Sequence, residues 1–472
     1  MKKLLLLGVI VLIGLNIYAQ NTDTLPRYYW VTFKDKANSP YQLDQPQAFL
    51  SAKALARRAK YQIAVTEDDL PVNPQYLQEI QKLGGQIHLS SRWLNAATVL
   101  ATPTSMQQIE ALNFVDTFLY VAKFMPARVN REGRAFKGKL EAEILDDNPY
   151  GNAFPQLQVM KGDSLHQKGG MGQGITVAVL DGGFSGVDQM PFFDSLRKDN
   201  RLFGTHDFVE KDSFVYESST HGTHVLSVMG ANIPGLMVGT APKAQYICVK
   251  TEDVRGEYLI EECNWVAGLE YADSIGADLV NSSLGYFSFN DTDMNYRYED
   301  LTGVNSIASR AVDYAFDRGM IVVTSAGNEG NSAWRHISIP ADATHAMAVG
   351  AVFIDTTIRA GFSSVGPTAD GRIKPDLVAP GVAIVVASPY GYKTRTSNGT
   401  SLASPLIAGL TASLWSAFPN LKNEDIINAV IQSCHQKDQP DNFLGHGLPN
   451  YSRAFDILKQ KVQEVEVPIQ KN

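Results

Sequence analysis

The feature that most constrains the fold is an alternation of short apolar segments with longer helical ones in the C-terminal two thirds of the chain. Residues 175–180 form an almost continuous apolar run, typical of a parallel strand buried on both faces. Further strands are predicted at residues 246–249, 278–281, 321–324 and 346–352, and helices at residues 259–275 and 307–318. This alternation predicts an α/β fold with a doubly wound, mostly parallel sheet and helices on both faces.

The chain begins with a segment that reads as a signal peptide rather than as structure. Lys2 and Lys3 precede the largely apolar residues 4–15, and Ala19 marks a cleavage site. A short membrane anchor is the alternative, although the apolar run is near or below the length needed to span a bilayer. No later segment reaches that length, so we expect a secreted or periplasmic protein with no membrane span in the mature chain.

Residues 20–124 are predicted to form a small α+β domain. The expected strands lie at residues 28–33, 86–90, 96–101 and 117–121, and the expected helices at residues 47–60, 73–83 and 105–112, the last with Ser105 as a possible cap. Taken alone, such a domain is compatible with any binding module.

A basic stretch at residues 125–147 separates this domain from the larger one, predicted at residues 148–457 and followed by a charged tail at 458–472. It carries Arg128, Arg131, Arg134, Lys137 and Lys139 without a clear apolar period, so it reads as an exposed linker and a natural site for proteolytic processing. A processing site is therefore expected within residues 124–147. The segment of residues 182–220, which contains Phe192 and Phe193, is predicted to be a surface loop near the cleft.

The charge distribution excludes one class of partner and suggests another. The whole chain carries −8, which gives no reason to expect nucleic acid. Residues 20–144 hold 15 Lys and Arg against 12 Asp and Glu, a charge of +3, whereas residues 145–472 hold 24 against 37, a charge of −13. The two regions are therefore expected to attract each other weakly. Cys248, Cys263 and Cys434 allow at most one disulfide.

Four polar residues follow predicted strands or open predicted helices of the larger domain. Asp181 ends the first apolar strand, His221 precedes a helical stretch, Asn328 follows the strand at 321–324, and Ser401 opens an apolar helix. Each has an ordinary explanation alone. Asp181 and Asn328 suit turns, Ser401 suits a helix cap, and His221 with His224 resembles a metal pair that lacks an obvious third ligand. Together they supply a carboxylate, a base, an oxyanion donor and a nucleophile, the inventory for serine-based acyl transfer.

These residues also lie in motifs that resemble those of subtilisin-like serine proteases, in the same order. The motifs are VAVLDGG at 177–183, HGTHV at 221–225, SAGNEG at 325–330 and GTSLASP at 399–405. The resemblance covers roughly residues 148–454. It implies Ser401 as nucleophile, His221 as general base and then acid, and Asp181 as the group that orients the imidazole. Asn328 and the backbone N–H of Ser401 would form the oxyanion hole.

The resemblance further implies how substrate is held. Ser283, Leu284 and Gly285 would form an edge strand that pairs with the substrate backbone, with Arg255, Gly256 and Glu257 on the opposite side. The first domain would be a propeptide that acts as an inhibitor and chaperone. The implied partners are protein or peptide substrates and the protein's own propeptide, with no nucleic acid, and the chain is expected to be a monomer.

No cofactor and no metal ligands are predicted. Residues 232–239 lack the Asn-rich loop that holds calcium in some members of the family, so a structural calcium is possible but has no recognisable site. Two rivals to a secreted endopeptidase made as a zymogen remain: a catalytically silent binding or chaperone protein of the same fold, and a non-peptidase acyl hydrolase such as an esterase. The absence of Gly-x-Ser-x-Gly around Ser401 and the Asp, His, Ser order weigh against the esterase.

Overall fold

The computed structural model describes residues 24–126, 147–354, 357–389 and 391–466. The signal peptide predicted at residues 1–19 and almost all of the linker predicted at residues 125–147 lie outside these ranges. Within them, no helix is both long and apolar enough to cross a membrane.

The first domain is built on a four-stranded antiparallel sheet, and two of its helices pack on one face of that sheet. Its strands are β1 (Arg27–Phe33), β2 (Gln86–Ser91), β3 (Ala96–Ala101) and β4 (Val115–Lys123), in the order β2-β3-β1-β4. Its helices are α1 (Ala52–Tyr61), α2 (Pro74–Lys82) and α3 (Pro103–Glu110). Val31 and Val99 of the sheet pack with Ile80 and Ile109 of the helices in a small core. The predicted α+β domain is present.

Two helix starts in this domain differ from the prediction because of their caps. Helix α1 begins only at Ala52, where the Ser51 side chain accepts a hydrogen bond from the backbone N–H of Ala54, and the preceding Pro46–Ala48 forms a separate single turn. Helix α3 is capped by Thr102 rather than by Ser105, because Pro103 occupies the first helical position, where a missing N–H costs nothing.

The larger domain is built around a parallel sheet. The strands of the whole domain are β5 (Thr176–Asp181), β6 (Leu202–Asp207), β7 (Asn232–Ile233), β8 (Met237–Val238), β9 (Gln245–Lys250), β10 (Leu279–Ser282), β11 (Ile321–Ser325), β12 (Ala346–Val352), β13 (Leu377–Pro380), β14 (Ile384–Ala387) and β15 (Thr394–Ser397). Its helices are α4 (Phe154–Gln158), α5 (Gly162–Gln167), α6 (Asp194–Lys198), α7 (His221–Gly230), α8 (Ile260–Ile275), α9 (Ile307–Asp317), α10 (Thr400–Ala417), α11 (Asn423–Ser433) and α12 (Tyr451–Glu466).

Seven of these strands form one sheet in the order β13-β12-β11-β10-β5-β9-β6, with every pair parallel. The chain starts at β5, continues to β6 and β9 on one side, and then crosses to β10 and beyond on the other. The order therefore reverses between β5 and β10, and ligands of open α/β sheets bind at such a reversal.

Strand β5 is buried on both faces, as its apolar sequence predicts. Val177 and Val179 belong to the core under α7 and α10, while Ala178 and Leu180 belong to the core under α8 and α9. This alternation follows from the two-residue period of a strand. The predicted α/β fold, with a doubly wound parallel sheet and a preceding small α+β domain, is confirmed.

The segment of residues 182–220 is not the surface loop that the sequence suggests. It contains α6 and β6, and β6 pairs with β9 at the edge of the sheet. Phe192 and Phe193 are fully buried in the core beside α7. At the other end of the domain, α12 continues through residue 457, and Leu458 is buried, so helix extends into the segment predicted as a charged tail.

The first domain packs its sheet against α8 and α9. Trp30, Leu89 and Trp93 share a core with Trp265 of α8. Around it, Arg57, Arg58 and Arg92 of the first domain form buried ion pairs with Asp273 of α8. A further buried ion pair joins Asp69 of the first domain to Arg318 of the larger one, and the weak attraction expected from the net charges stays a prediction.

A second carboxylate of α8 also binds the first domain. Glu270 accepts hydrogen bonds from Ser91 Oγ at 2.5 Å and from the backbone N–H of Arg92 at 2.9 Å. Burial raises the pKa of Asp273, but the guanidinium groups of Arg57, Arg92 and Arg58 more than offset this and lower it overall. Asp273 is therefore ionised in the interface.

Candidate active site

Asp181 and His221 meet at the carboxyl edge of the parallel sheet. Asp181 ends β5 and is fully buried, and His221 is the first residue of α7. The His221 Nδ1 atom lies 2.8 Å from Asp181 Oδ2 and 3.0 Å from Asp181 Oδ1. The backbone N–H of Gly182 donates to Asp181 Oδ1 at 2.8 Å and so helps to fix the carboxylate.

Glycine at position 222 allows this close approach. A Cβ on Gly222 would lie 2.6 Å from the carbonyl oxygen of Gly183 and 3.0 Å from the Cβ of Asp181. Any larger residue would therefore push the start of α7 away from the end of β5. The HG pair of the HGTHV motif thus has a steric role as well as a chemical one.

The charge of Asp181 controls the ionisation of His221. The nearby carboxylate raises the pKa of His221 above its usual 6.5, while burial opposes this and the hydrogen bond to Asp181 adds to it. The His221 side chain remains 40% exposed, so a ligand can reach its other nitrogen. His224, by contrast, has its pKa lowered to about 4, mainly by burial and further by Arg395 and His221. His224 is therefore neutral near pH 7.

Ser401 is the second residue of α10, a helix buried along most of its length. The chain enters this helix through Gly399, which has a φ of 146° in a region that favours glycine. A Cβ on Gly399 would lie only 2.8 Å from Ser401 Oγ. At the start of a helix, unpaired N–H groups and the helix dipole favour negative charge beside the serine.

The carbonyl group of Ser401 is tied to the neighbouring strand. In a regular helix, the N–H of residue 405 would bond to this carbonyl, but Pro405 has no N–H to donate. Ser283 Oγ donates to the Ser401 carbonyl oxygen instead, at 2.8 Å. Asn281 links the same elements, since its Nδ2 donates to Ser283 Oγ at 3.1 Å and its Oδ1 accepts from Ser404 Oγ at 2.9 Å.

Asn328 is held next to Ser401 by hydrogen bonds to Thr400. Its Oδ1 accepts hydrogen bonds from the backbone N–H of Thr400 at 2.9 Å and from Thr400 Oγ1 at 3.0 Å. Thr400 Oγ1 in turn accepts from the N–H of Gly327 at 3.2 Å. The Asn328 Nδ2 group has no hydrogen-bond partner among the described residues. Asn328 is exposed, so this donor is available to a ligand next to Ser401.

The helices that carry His221 and Ser401 pack directly on each other, and both begin at the carboxyl edge of the sheet, where His221 contacts Asp181 at the end of β5 and Ser401 contacts Ser283 just after β10. Gly409 of α10 approaches Met229 of α7 and Thr240 closely. Within the described part of the chain, no hydrogen bond joins His221 to Ser401. Catalytic hydrogen bonds are often long in free enzymes and tighten when substrate binds.

A cavity of about 390 Å³ opens beside the Asp181–His221 pair. Ser283, Leu284 and Gly285 line one side of it, and Gly256 and Glu257 line another. The two segments predicted to flank the substrate therefore do face the same space. The side chain of Arg255 lies elsewhere, because its guanidinium group binds Asp253, Glu210 and the carbonyl oxygen of Pro126.

Besides Asp181 and Asp253, three glutamates line the cavity, and of these only Glu257 was predicted from the sequence. Oxygen atoms of Glu252, Glu257 and Glu261 all lie within 4.8 Å of one another. Glu252 lies two residues after β9, so the rule that ligands gather at strand ends could have identified it. Glu261 lies in α8 without a comparable signal. Thr400 and Asn281 were also missed, although both lie next to residues that were named.

The predictions about calcium and about the cysteines concern other parts of the larger domain. Residues 232–239 form the short hairpin of β7 and β8, and the expectation that this stretch holds no calcium stays a prediction. Cys248, Cys263 and Cys434 are all buried and unbridged.

Comparison with known proteins gives two matches to family models, one for each domain. Residues 172–447 match the model described as the subtilase family, and residues 28–137 match the model described as the peptidase S8 propeptide domain, Bacteroidota. Between them, the two matches span both predicted folding units.

Individual relatives agree with these matches. The chain is 32% identical to a subtilisin of Bacillus pumilus over 311 residues, which cover 65% of this chain and 98% of the relative. It is 31% identical to subtilisin DY of Bacillus licheniformis over the same length and coverage. It is 30% identical to subtilisin E of Bacillus subtilis over 380 residues, which cover 79% of this chain and 84% of the relative. With a propeptide domain ahead of its catalytic domain, the chain belongs to the subtilase family and is a subtilisin-like serine endopeptidase.

Proposed function

We propose that this chain is a secreted endopeptidase that cuts peptide bonds through Ser401, His221 and Asp181 and that releases itself from its own propeptide. The observation that carries the assignment of roles is the pair of contacts between His221 Nδ1 and the buried Asp181 carboxylate, at 2.8 and 3.0 Å. This contact leaves Nε2 of the imidazole to act as the base.

In the proposed reaction, Ser401 Oγ attacks the substrate carbonyl carbon while His221 Nε2 takes the hydroxyl proton. The carbonyl oxygen becomes an oxyanion, which accepts hydrogen bonds from the backbone N–H of Ser401 and from Asn328 Nδ2. His221 then donates its proton to the leaving amine, and the C–N bond breaks to give an acyl-enzyme. Water attacks the acyl-enzyme by the same sequence, and Ser401 regains its proton.

Asp181 stabilises the imidazolium ion that forms in each half of the reaction. The raised pKa of His221 supports this role, because it arises chiefly from the charge of Asp181. Ser283, Leu284 and Gly285, with Arg255, Gly256 and Glu257 opposite, are proposed to hold the substrate backbone by main-chain pairing. The sequence of residues 1–19 supports export to the periplasm or beyond.

The test compares the precursor without residues 1–19 with its Ser401→Ala variant by intact mass and casein cleavage. We expect the first protein to lose its first domain and degrade casein, and the variant to remain whole and inactive. A folded protein that stays full length and inactive would favour a silent binding protein. Equal processing of both would assign maturation to another protease, and a mature N-terminus near Gln20 would contradict self-cleavage in the linker.

A further inference from the structure

Three glutamates in the catalytic cleft form one group, which we call the acidic pocket: Glu252, Glu257 and Glu261. They line the same cavity as Asp181 and His221. Glu252 and Glu261 are 9% and 1% exposed, whereas Glu257 is exposed at the mouth. Buried carboxylates are costly unless each is hydrogen-bonded or paired with a cation.

The hydrogen bonds of the pocket leave acceptors unused. Glu261 is satisfied by the backbone N–H groups of Asp253 and Tyr258, at 2.8 and 3.3 Å. Glu252 Oε1 accepts from Thr251 Oγ1 at 2.7 Å and from Tyr286 Oη at 2.8 Å. Among the described residues, nothing donates to Glu252 Oε2, although this side chain is more than nine-tenths buried and lines the cavity. The Glu257 carboxylate likewise has no donor among them.

No counter-charge compensates the pocket within the described part of the chain. The cavity lining includes neither Lys nor Arg, and none of the three glutamates takes part in an ion pair there. Arg255 lines the neighbouring cavity and is engaged by Asp253 and Glu210. Burial raises the pKa of Glu252 to about 8, and burial also raises the pKa values of Glu257 and Glu261. Such crowded carboxylates would be stabilised by a cation.

The end of the first domain lines the cavity next to this cleft, and Asp253 lines both cavities. The first domain ends in residues 124–126, and the carbonyl oxygen of Pro126 accepts a hydrogen bond from Arg255, two residues before Glu257. The sequence after Pro126 contains Arg128, Arg131 and Arg134. The chain that leads away from this contact is therefore rich in the side chains that an acidic pocket would select.

We propose that Glu252, Glu257 and Glu261 form a specificity pocket that binds the guanidinium or ammonium group of an arginine or lysine side chain close to the scissile bond. The inference rests on the proposed endopeptidase function of the same cleft. Carboxylates suit this task, because a guanidinium group donates paired hydrogen bonds in a fixed geometry, and charge-assisted hydrogen bonds are stronger than neutral ones. The unused Oε2 of Glu252 and the free carboxylate of Glu257 would accept them.

The test measures kcat/KM on quenched fluorescent peptides, with the mature enzyme that forms from the full-length precursor. The peptides are identical except at one position, which carries arginine, lysine or norleucine, and the substituted position is moved along the peptide in turn. Norleucine keeps the length of lysine without its charge. We expect one position at which the basic peptides are cleaved at least about tenfold faster than the norleucine peptide.

Variants then assign this preference to the pocket. In Glu257→Gln and in Glu252→Gln, the ratio of basic to norleucine cleavage is expected to fall about tenfold. In Glu257→Lys, a further peptide with glutamate at the same position is expected to be cleaved faster than the basic peptides. Glu299→Gln, the same change at an exposed glutamate that does not line the cavity, keeps both the ratio and the activity. Because Glu257 is exposed, its variant remains informative even where Glu252→Gln fails to fold.

Three results would overturn the inference while leaving the proposed function intact. One is a ratio near one at every position in the wild type, and another is a high ratio that survives in both glutamine variants. The third is a divalent cation site: calcium chloride would raise the melting temperature of the Ser401→Ala protein, Glu257→Gln would abolish the effect, and basic peptides would not be preferred. If the wild type cleaves none of the peptides, the proposed function itself fails.

Discussion

Ser283 Oγ donates a hydrogen bond of 2.8 Å to the carbonyl oxygen of Ser401, which the helix itself leaves free because Pro405 has no N–H. One contact therefore joins the segment predicted to bind substrate to the backbone of the proposed nucleophile. Ser283 is buried, so no solvent replaces the bond when it is lost.

Ser283→Ala is expected to lower the stability of the Ser401→Ala precursor by about 1–3 kcal/mol, because a buried carbonyl group loses its donor. The second change Pro405→Ala supplies a backbone N–H at the helical position and should recover part of that loss. Urea unfolding of the single and double variants checks this. An additive or greater loss in the double variant would contradict the explanation.

Asn328→Leu is expected to lower kcat by about a hundred- to a thousandfold, a magnitude known from a subtilisin, with little change in KM. The reason is that the Nδ2 donor would act on the oxyanion, which exists only in the reaction. Steady-state kinetics on a peptide substrate measure both constants. A large rise in KM with unchanged kcat would show that Asn328 binds the ground state instead.

Thr400→Val is expected to lower kcat about tenfold, because Thr400 positions Asn328 and Gly327 through Oγ1. KM should change little, and the pH profile should keep its midpoint, since the ionisation of His221 is untouched. Thr396→Val is the matched control on an exposed residue. If both valine variants behave alike, Thr400 has no positioning role.

The pH dependence should report on the pair of Asp181 and His221. His221 must be neutral to accept a proton, so kcat/KM rises with pH, and the raised pKa places the midpoint above the usual 6.5. Asp181→Asn removes the main cause of that rise, so the midpoint moves to lower pH. The plateau should also fall about 10⁴-fold, a magnitude taken from other triad proteases. An unchanged midpoint in pH-rate profiles would exclude Asp181 as the charge that acts on His221.

The interface between the domains should depend strongly on Asp273. In the Ser401→Ala precursor, Asp273→Asn leaves the buried groups of Arg57 and Arg92 without their carboxylate, and we expect a loss of about 3–5 kcal/mol. Asp456→Asn breaks only an exposed pair with Lys168 and should cost less than about 1 kcal/mol. Equal effects of the two variants on urea unfolding would contradict a buried ionic interface.

The sequence determined the alternation of strands and helices and the identity of the four motif residues. Because a buried parallel strand must be apolar on both faces, residues 175–180 predicted β5 to within one residue at each end. Helix caps were harder to predict. Thr102 rather than Ser105 caps α3, because the choice depends on the proline that follows Thr102. The prediction of a surface loop around Phe192 and Phe193 was wrong. The many charged neighbours of these residues in the sequence indicated exposure, but both side chains pack into the core.

The tertiary structure decided which side chains meet. Glu252 lies two residues after β9 and Glu261 lies in the first turn of α8, and only the path of the loop between them places both beside Glu257. The hydrogen bond from Ser283 to the Ser401 carbonyl group, which replaces a helix hydrogen bond, depends on contact between segments far apart in the sequence. The contacts of Thr400 with Asn328 do so as well. Sequence periodicity reports burial along one element, whereas a site depends on distances between elements, and these are fixed only when the chain has packed.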